Sequence, residues 1–244
     1  NKLTFGDAAS FIQQSSDGVL RIDGEATVDI NATAAVTIAA TTVPVTVGGI
    51  PFYADTSNNS IYTHNVSGTD STAANNTAYG LTALDAVTTG DKNTCIGYGA
   101  GGSLTTAEGC THVGYNAGAS HTTNTSNTFI GSQCGEDCTG DNNVAIGKDT
   151  YLDATTEDGN VAIGNSAMGA TVNGAEQNVI VGNTAGDAIT SADSTVAVGY
   201  NAGGAITSGG SNTYVGLNCG SNTTTGYMNV LIGSNCATAA VDTA

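Results

Sequence analysis

The last two thirds of the chain repeat one short pattern of apolar and polar positions ten times. The pattern reads Asn, a β-branched residue, a small residue, Ile or Val, then Gly, with another small residue three places later. Consecutive glycines lie 16 to 18 residues apart, most often 17. A nearly fixed period of this length predicts stacked units that contact only their neighbours, and not a compact domain with a pocket. The repeat glycines are Gly80, Gly97, Gly114, Gly131, Gly147, Gly164, Gly182, Gly199, Gly216 and Gly233.

Each repeat predicts one firm strand that ends at its glycine, as in Asn143–Gly147 and Asn229–Gly233. The glycine suits a corner that needs an unusual backbone conformation or a close approach of two backbones. A polar loop, such as 122–126, then closes the coil and absorbs the small changes in period. We therefore predict an all-β protein with a parallel β-solenoid or β-roll of about ten coils over residues 73–244.

The two faces of the predicted strand lead to an expectation about partners. The residues one and three positions before the glycine share a face, which we assign to the inside of the coil. The residue two positions before the glycine points the other way and is small or apolar in nine of ten repeats. A strand that is apolar on both faces is expected to be covered on both, so we predict a homotrimeric fibre with this stripe at the interface. The stripe comprises Ala78, Cys95, His112, Phe129, Ala145, Ala162, Ile180, Ala197, Tyr214 and Leu231.

Residues 1–50 follow a different rhythm. Apolar pairs with the strand spacing of two, such as Leu20 with Ile22 and Val28 with Ile30, recur about every eight residues. Strands this short cannot bury a core alone, so we predict a triple-stranded β-helix or β-prism formed by three chains. A small single-chain β-sandwich strand set is the alternative. Residues 51–72 are rich in Ser, Asn, Thr and Gly and are expected to be a junction.

Composition and charge exclude several classes of partner. The chain has 34 Gly and no Trp, and it carries 21 acidic against 4 basic residues, a formal net charge of −17. Nucleic-acid binding needs Lys and Arg for the phosphates, so we expect no nucleic-acid partner. An anionic membrane surface would also repel the chain. No stretch approaches the roughly 20 apolar residues of a transmembrane helix, so membrane insertion is not expected.

The segment Asn160–Ala167 resembles the head repeats of trimeric autotransporter adhesins. The resemblance covers roughly residues 75–237 and implies a left-handed parallel β-roll with three chains around a threefold axis. The period here is longer than is typical of that family, which implies longer loops. A bacterial trimeric adhesin head is therefore one functional expectation.

A second resemblance covers the N-terminal part as well. The segments Phe5–Asp7, Phe11–Ile12 and Gly18–Gly24 are similar to parts of phage tail-fibre proteins, which join short β-helical shafts to Asn-x-x-Ile-Gly arrays. This resemblance implies a structural fibre protein of a phage tail, located on the virion, that provides reach and attachment to the host cell surface. Its implied partners are itself as a homotrimer, other virion tail proteins, and host surface glycans or a receptor. A self-assembling extracellular filament subunit is a further alternative.

No motif predicts catalysis, a cofactor or a resident metal. The run Gly97–Gly102 matches the dinucleotide fingerprint, but no βαβ unit follows and Gly97 is a repeat glycine. Glu136, Asp137 and Asp141 cluster in one loop, where a solvated acidic loop is the alternative to adventitious cation binding. We therefore predict that the chain is not an enzyme.

Four further features each have a functional and a structural interpretation. His112 lies on the predicted partner-facing stripe, where three copies could bind a metal or anion, or simply form hydrogen bonds at the interface. Tyr98, Tyr115 and Tyr200 follow repeat glycines and could bind sugar rings or pack along the stack. The position three before the glycine is Thr in only half of the repeats, so an ice-binding Thr ladder would be broken. Cys219 and Cys236 lie one coil apart, close enough for a disulfide, although parallel side-chain directions would oppose one.

Overall fold

A computed structural model describes residues 11–14, 20–23, 45–47, 50–55, 60–63, 72–153 and 156–237. The chain divides into two compact units, Asn1–Val43 and Pro44–Ala244. In the first unit, β1 (Phe11–Gln14) and β2 (Leu20–Asp23) pair antiparallel. Most of the predicted triple-stranded segment and much of the junction lie outside the described residues, so these two assignments stay predictions.

The second unit contains a 13-stranded sheet in which strands follow one another in sequence order. The first three strands, β3 (Val45–Val47), β4 (Ile50–Asp55) and β5 (Ser60–Tyr62), pair antiparallel. From β5 onward all neighbours are parallel, which confirms the predicted all-β solenoid of about ten coils. These strands are β6 (Thr77–Tyr79), β7 (Thr94–Ile96), β8 (Thr111–Val113), β9 (Thr128–Ile130), β10 (Val144–Ile146), β11 (Val161–Ile163), β12 (Val179–Val181), β13 (Val196–Val198), β14 (Thr213–Val215) and β15 (Val230–Ile232).

The repeat glycines make the corners possible for both of the predicted reasons. Gly182 has φ +146°, a conformation that residues with a Cβ rarely adopt. A Cβ added there would also overlap the carbonyl group of Gly199 in the next coil, and the same overlap recurs at every repeat glycine except Gly233. Gly233 has no heavy atom within 4 Å of such a Cβ because it lies in the last described coil.

A ladder of asparagines, all buried except Asn229, links the start of most of the parallel strands to the next coil. The Oδ1 atom of Asn160 accepts a hydrogen bond from the backbone N–H of Asn178 (3.0 Å), and its Nδ2 donates to the carbonyl of Ala175 (2.8 Å). The side-chain amide, the backbone N–H and the backbone carbonyl all lose water when they are buried. The two hydrogen bonds between them offset that cost. The ladder is interrupted where Cys110 and Thr195 take the asparagine position. Its members are Asn76, Asn93, Asn127, Asn143, Asn160, Asn178, Asn212 and Asn229.

The predicted assignment of the strand faces is wrong. The residue two before the glycine points into the coil and is buried in nine of the ten repeats, whereas the residues one and three before it lie on the outside. The reason is that each strand has only three residues, so one side chain faces one way and two face the other. The thin interior also receives the small residue three after the glycine, and it has no room for two further columns of β-branched side chains.

In seven of the ten coils, a buried large side chain comes from one of two positions. In four of these coils the middle strand residue is large, as at Phe129, and the residue four after the glycine is itself glycine, here Gly135. Where the middle residue is alanine, as at Ala162, that later position can supply the bulk, here Met168. Gly135 and Met168 both have left-handed backbone conformations, with φ of 58° and 53°. The other clear pairs are His112 with Gly118, Ile180 with Gly186, Tyr214 with Gly220, Ala78 with Leu84, and Ala145 with Tyr151.

Candidate interaction surface

The outer face of the sheet is formed by the residues one and three positions before each repeat glycine. None of these twenty positions carries a charged residue; fourteen are Val or Ile, five are Thr and one is Tyr79. All of them are at least partly exposed, and Ile96, for example, is 39% exposed. In-register pairing, as between Val144 and Val161, aligns the side chains into two straight columns. The result is a long apolar stripe on the surface of an acidic protein.

The residue after each repeat glycine borders this outer face. In this column Tyr98 and Tyr115 stack with ring centroids 5.7 Å apart and an interplanar angle of 12°. Both rings are more than half exposed. Tyr200 occupies the same column five coils further along than Tyr115, so the structure brings together only the first two of the three predicted tyrosines. The pair extends the apolar surface sideways.

Seven of the thirteen acidic residues in the described coils lie in the turn two or three positions before the motif asparagine position. There the carboxylates accept hydrogen bonds from backbone N–H groups of the preceding coil, as Asp158 does from Asp141 (2.6 Å) and Asp193 from Glu176 (2.8 Å). These bonds give the acidic residues a structural role between coils. Asp91 bonds the N–H of Ala74 in the same way.

The structure does not assemble the predicted acidic cluster into a cation site. Glu136 accepts hydrogen bonds from the side chains of Asn116 and Gln133, and Asp137 accepts one from Ser120. Asp141 bonds a backbone N–H of the preceding coil. Within the described residues, no three His, Cys, Asp or Glu side chains are arranged to hold a metal ion.

His112 does not face a partner, which corrects the second prediction that depended on the strand faces. Its side chain is 0% exposed and lies inside the third coil, the one that contains Gly114. A threefold axis outside the coil could therefore not bring the His112 side chains of three chains together. Burial and the neighbouring His121 hold the pKa of His112 well below its ordinary value. His121 is buried too, although its sequence surroundings resemble a loop. His121 lies seven residues after its repeat glycine, and the residue at the same position in the previous coil is the buried Leu104. This comparison between coils is the sequence signal that indicates its burial.

The cysteines provide no reactive thiol among the described residues. Cys219 and Cys236 form a disulfide between the last two coils, with their Cα atoms 4.7 Å apart, so the side-chain directions do permit the bond. Burial raises the pKa of Cys134 and of Cys138 to about 12, which keeps both protonated and poorly nucleophilic at neutral pH. Cys95 and Cys110 are also free and buried, and burial raises their pKa.

Three further observations, on membrane-spanning helices, on the threonine column and on similar proteins, do not identify a function. The described part of the chain contains no helix with the length and hydropathy needed to cross a membrane. The threonines on the outer face form one run in β6 to β9 and recur in β14, so that column stays interrupted by valine. The chain matches no protein-family model, no curated protein and no solved structure.

Proposed function

We propose that this chain is a structural section of an extracellular fibre and assembles with copies of itself through the outer face. The observation that carries this proposal is the charge-free apolar stripe along ten coils of a chain with a net charge of −17. An exposed apolar surface of this extent marks an interaction site. In an acidic molecule, it is also the surface where a second copy meets the least electrostatic repulsion.

The dimensions of the outer face fit a closed trimer. Ten strands at a spacing of about 4.8 Å give a stripe roughly 48 Å long, and three residues give a width of roughly 10 Å. This amounts to about 500 Å² per chain and about 1,500 Å² for the whole trimer, or about 500 Å² for each pair of chains. A single contact of that size is smaller than a usual specific interface, so the trimer would depend on closing all three contacts at once. Three equivalent faces around one axis would cover every stripe and leave no apolar edge for further growth.

We assign this fibre to a phage tail, where it would provide reach and attachment to the host cell surface. The resemblance of Gly18–Gly24 to tail-fibre segments supports this assignment. Other virion tail proteins would hold its ends, and host surface glycans or a receptor would bind along its sides. The Cys219–Cys236 disulfide fits a protein that works outside the reducing cytosol. A bacterial trimeric adhesin head is the second candidate, favoured by the resemblance of Asn160–Ala167 to adhesin head repeats.

The assembly is tested by measuring the mass of the particle in solution. We expect sedimentation equilibrium of the wild-type chain to give three times the chain mass of 24.0 kDa. The variant V161K/I163K places two charges on the outer face and should dissociate to monomers with an unchanged circular dichroism spectrum. The control T156K/N173K adds the same charge at exposed loop positions and should stay trimeric. A wild-type chain that is monomeric at micromolar concentration would refute the interface.

The location is tested separately by labelling. Antibodies raised against the solenoid should decorate the tails of virus particles in electron micrographs. Labelling of a bacterial cell surface in the absence of virions would instead establish the adhesin, without affecting the result for the trimer.

A further inference from the structure

We propose that the third and fourth coils contain an acid-sensitive switch, in which protonation of His112 and His121 opens the interior of the solenoid at that point. This device differs from the outer face in location and chemistry, and it depends on no partner. It follows from the packing of three rings inside the two coils.

The two imidazoles and Phe129 form one buried cluster. His112 stacks on Phe129 with ring centroids 5.2 Å apart and an interplanar angle of 7°. His121 stands across both rings, at 5.2 Å and 84° from His112 and at 5.0 Å and 82° from Phe129. All three side chains are 0% exposed. A proton added to either histidine would therefore place a charge among aromatic rings without access to water.

No hydrogen bond compensates for burying the ring nitrogens. Nδ1 and Nε2 of His112 and of His121 all lack a hydrogen-bond partner in the part of the chain that the structure describes. Such groups are uncommon in protein interiors because each loses its bonds to water without replacement. The neutral rings tolerate this environment as large flat side chains, whereas the charged rings, which carry a second donor, would not.

Among the described residues, the side chains packed around the two imidazoles carry no negative charge that would stabilise the imidazolium. Cys95 pairs with His112 from the coil below, and burial raises the pKa of its thiol, so it stays neutral. Phe129 faces His112 from the coil above, and Cys134 and Cys138 of that coil are buried, protonated thiols. The carboxylates Glu136 and Asp137 bond surface polar side chains instead.

The fold does not need histidine at these positions. The position of His121 is Leu104 in the previous coil and Ile206 in a later one, and both are fully buried. The position of His112 is Phe129 in the next coil, which likewise packs over a glycine. The chain has thus placed two titratable rings where one adjoining coil in each case uses a non-titratable side chain of similar size, Phe129 for His112 and Leu104 for His121.

The direction of the pH effect follows from the two protonation equilibria. In an opened coil His121 protonates near its ordinary pKa of 6.5, whereas burial lowers its pKa to about 4 in the closed coil. Between these values the open state binds more protons, so closed-state stability is complete above pH 6.5 and falls as the pH falls towards 4. At pH 5, protonation of His121 alone makes the equilibrium constant for opening about 30-fold larger than it is at high pH. His112, whose pKa is also lowered, adds to this effect.

Hydrogen exchange by mass spectrometry tests the switch, with the full chain compared at pH 7.5 and pH 5 after correction for intrinsic exchange rates. Peptides that cover 111–130 should lose at least 10-fold protection at pH 5, while peptides that cover 196–215 should change little. The control H112F/H121L copies side chains of neighbouring coils and should abolish the difference. Equal loss of protection in both regions, or the same loss in the control, would overturn the proposal.

Direct titration of the imidazoles by NMR keeps the test decisive if the double variant misfolds. In the folded wild-type chain, both rings should stay neutral well below pH 6.5. A measured pKa near 6.5 for both rings would show that they are hydrated, and it would rule out the switch.

Discussion

Exchanging the interior residues of one coil for those of another tests whether the residue two before the repeat glycine and the residue four after it compensate for each other in size. In the fourth coil Phe129 packs over Gly135, and a Cβ placed on Gly135 would lie 2.5 Å from the Phe129 ring. Two coils later, the small Ala162 occupies the position of Phe129 and the large Met168 occupies the position of Gly135. The variants are F129A, G135M and the double variant F129A/G135M.

The single substitutions should both be costly. F129A removes a fully buried ring and should lower the free energy of unfolding by about 3–5 kcal/mol. G135M forces a side chain onto the Phe129 ring, at about 1–3 kcal/mol for overpacking. It also puts a residue with a Cβ at φ +58°, at about 1–2 kcal/mol. Independent effects would therefore add to about 5–10 kcal/mol.

The double variant should be much more stable than that sum, because the methionine fills the space that the phenylalanine leaves. What remains is mainly the left-handed strain, about 1–2 kcal/mol, so the coupling energy should reach about 3 kcal/mol or more. Urea unfolding monitored by circular dichroism gives the midpoints and slopes for this cycle. The control G174M places methionine at another left-handed position with no heavy atom within 4 Å, and so measures strain alone. A coupling energy near zero would refute the compensation.

Three further predictions concern the contacts between coils, and each is measured by urea or thermal unfolding. G182A should destabilise by about 3 kcal/mol or more, since it adds a backbone overlap to the strain of φ +146°, whereas G233A adds only the strain of φ +134°, about 1–3 kcal/mol. Equal effects would contradict the close approach. N160A should cost about 2–4 kcal/mol because two buried backbone groups lose their partner; a neutral result would mean that water replaces the amide. Loss of the disulfide in C219S/C236S should cost about 3 kcal/mol, the value for a loop of this length, and hydrogen exchange should show the loss mainly in the last two coils.

The sequence predicts the parts of this fold that repeat. A period near 17 and a strand that ends at each glycine are enough to predict the stacked parallel strands, because every coil needs the same strand, the same glycine corner and a closing loop. The motif asparagine is visible for the same reason, but its burial is not, since Asn is usually a surface residue. Only its recurrence at the strand entry, as at Asn143 and Asn160, indicates that it bonds the backbone of the next coil.

The orientation of the strand could not be inferred from its own three residues. Hydrophobic alternation identifies the buried face only when the other face is polar, and Val161-Ala162-Ile163 is apolar throughout. The missing information lies six residues later, in the exchange of size between Ala162 and Met168. A glycine opposite a large residue and a large residue opposite an alanine are expected only of side chains that share one interior. The same comparison across coils would have placed His112 inside and would have separated it from any interface.

The choice of residues on the outer face supports the view that these coils are covered. The interior is already filled within one chain, since the asparagines, the glycine corners and the buried side chains of successive coils contact one another. Strand propensity alone would be satisfied by threonine, which is β-branched and tolerates water. The column three before the glycine does use threonine in half of the coils, but the column one before the glycine never does. That second column is Ile, Val or Tyr79 in all ten repeats. In the proposed trimer we therefore expect it to lie nearest the neighbouring copy, with the threonines towards the rim of the interface.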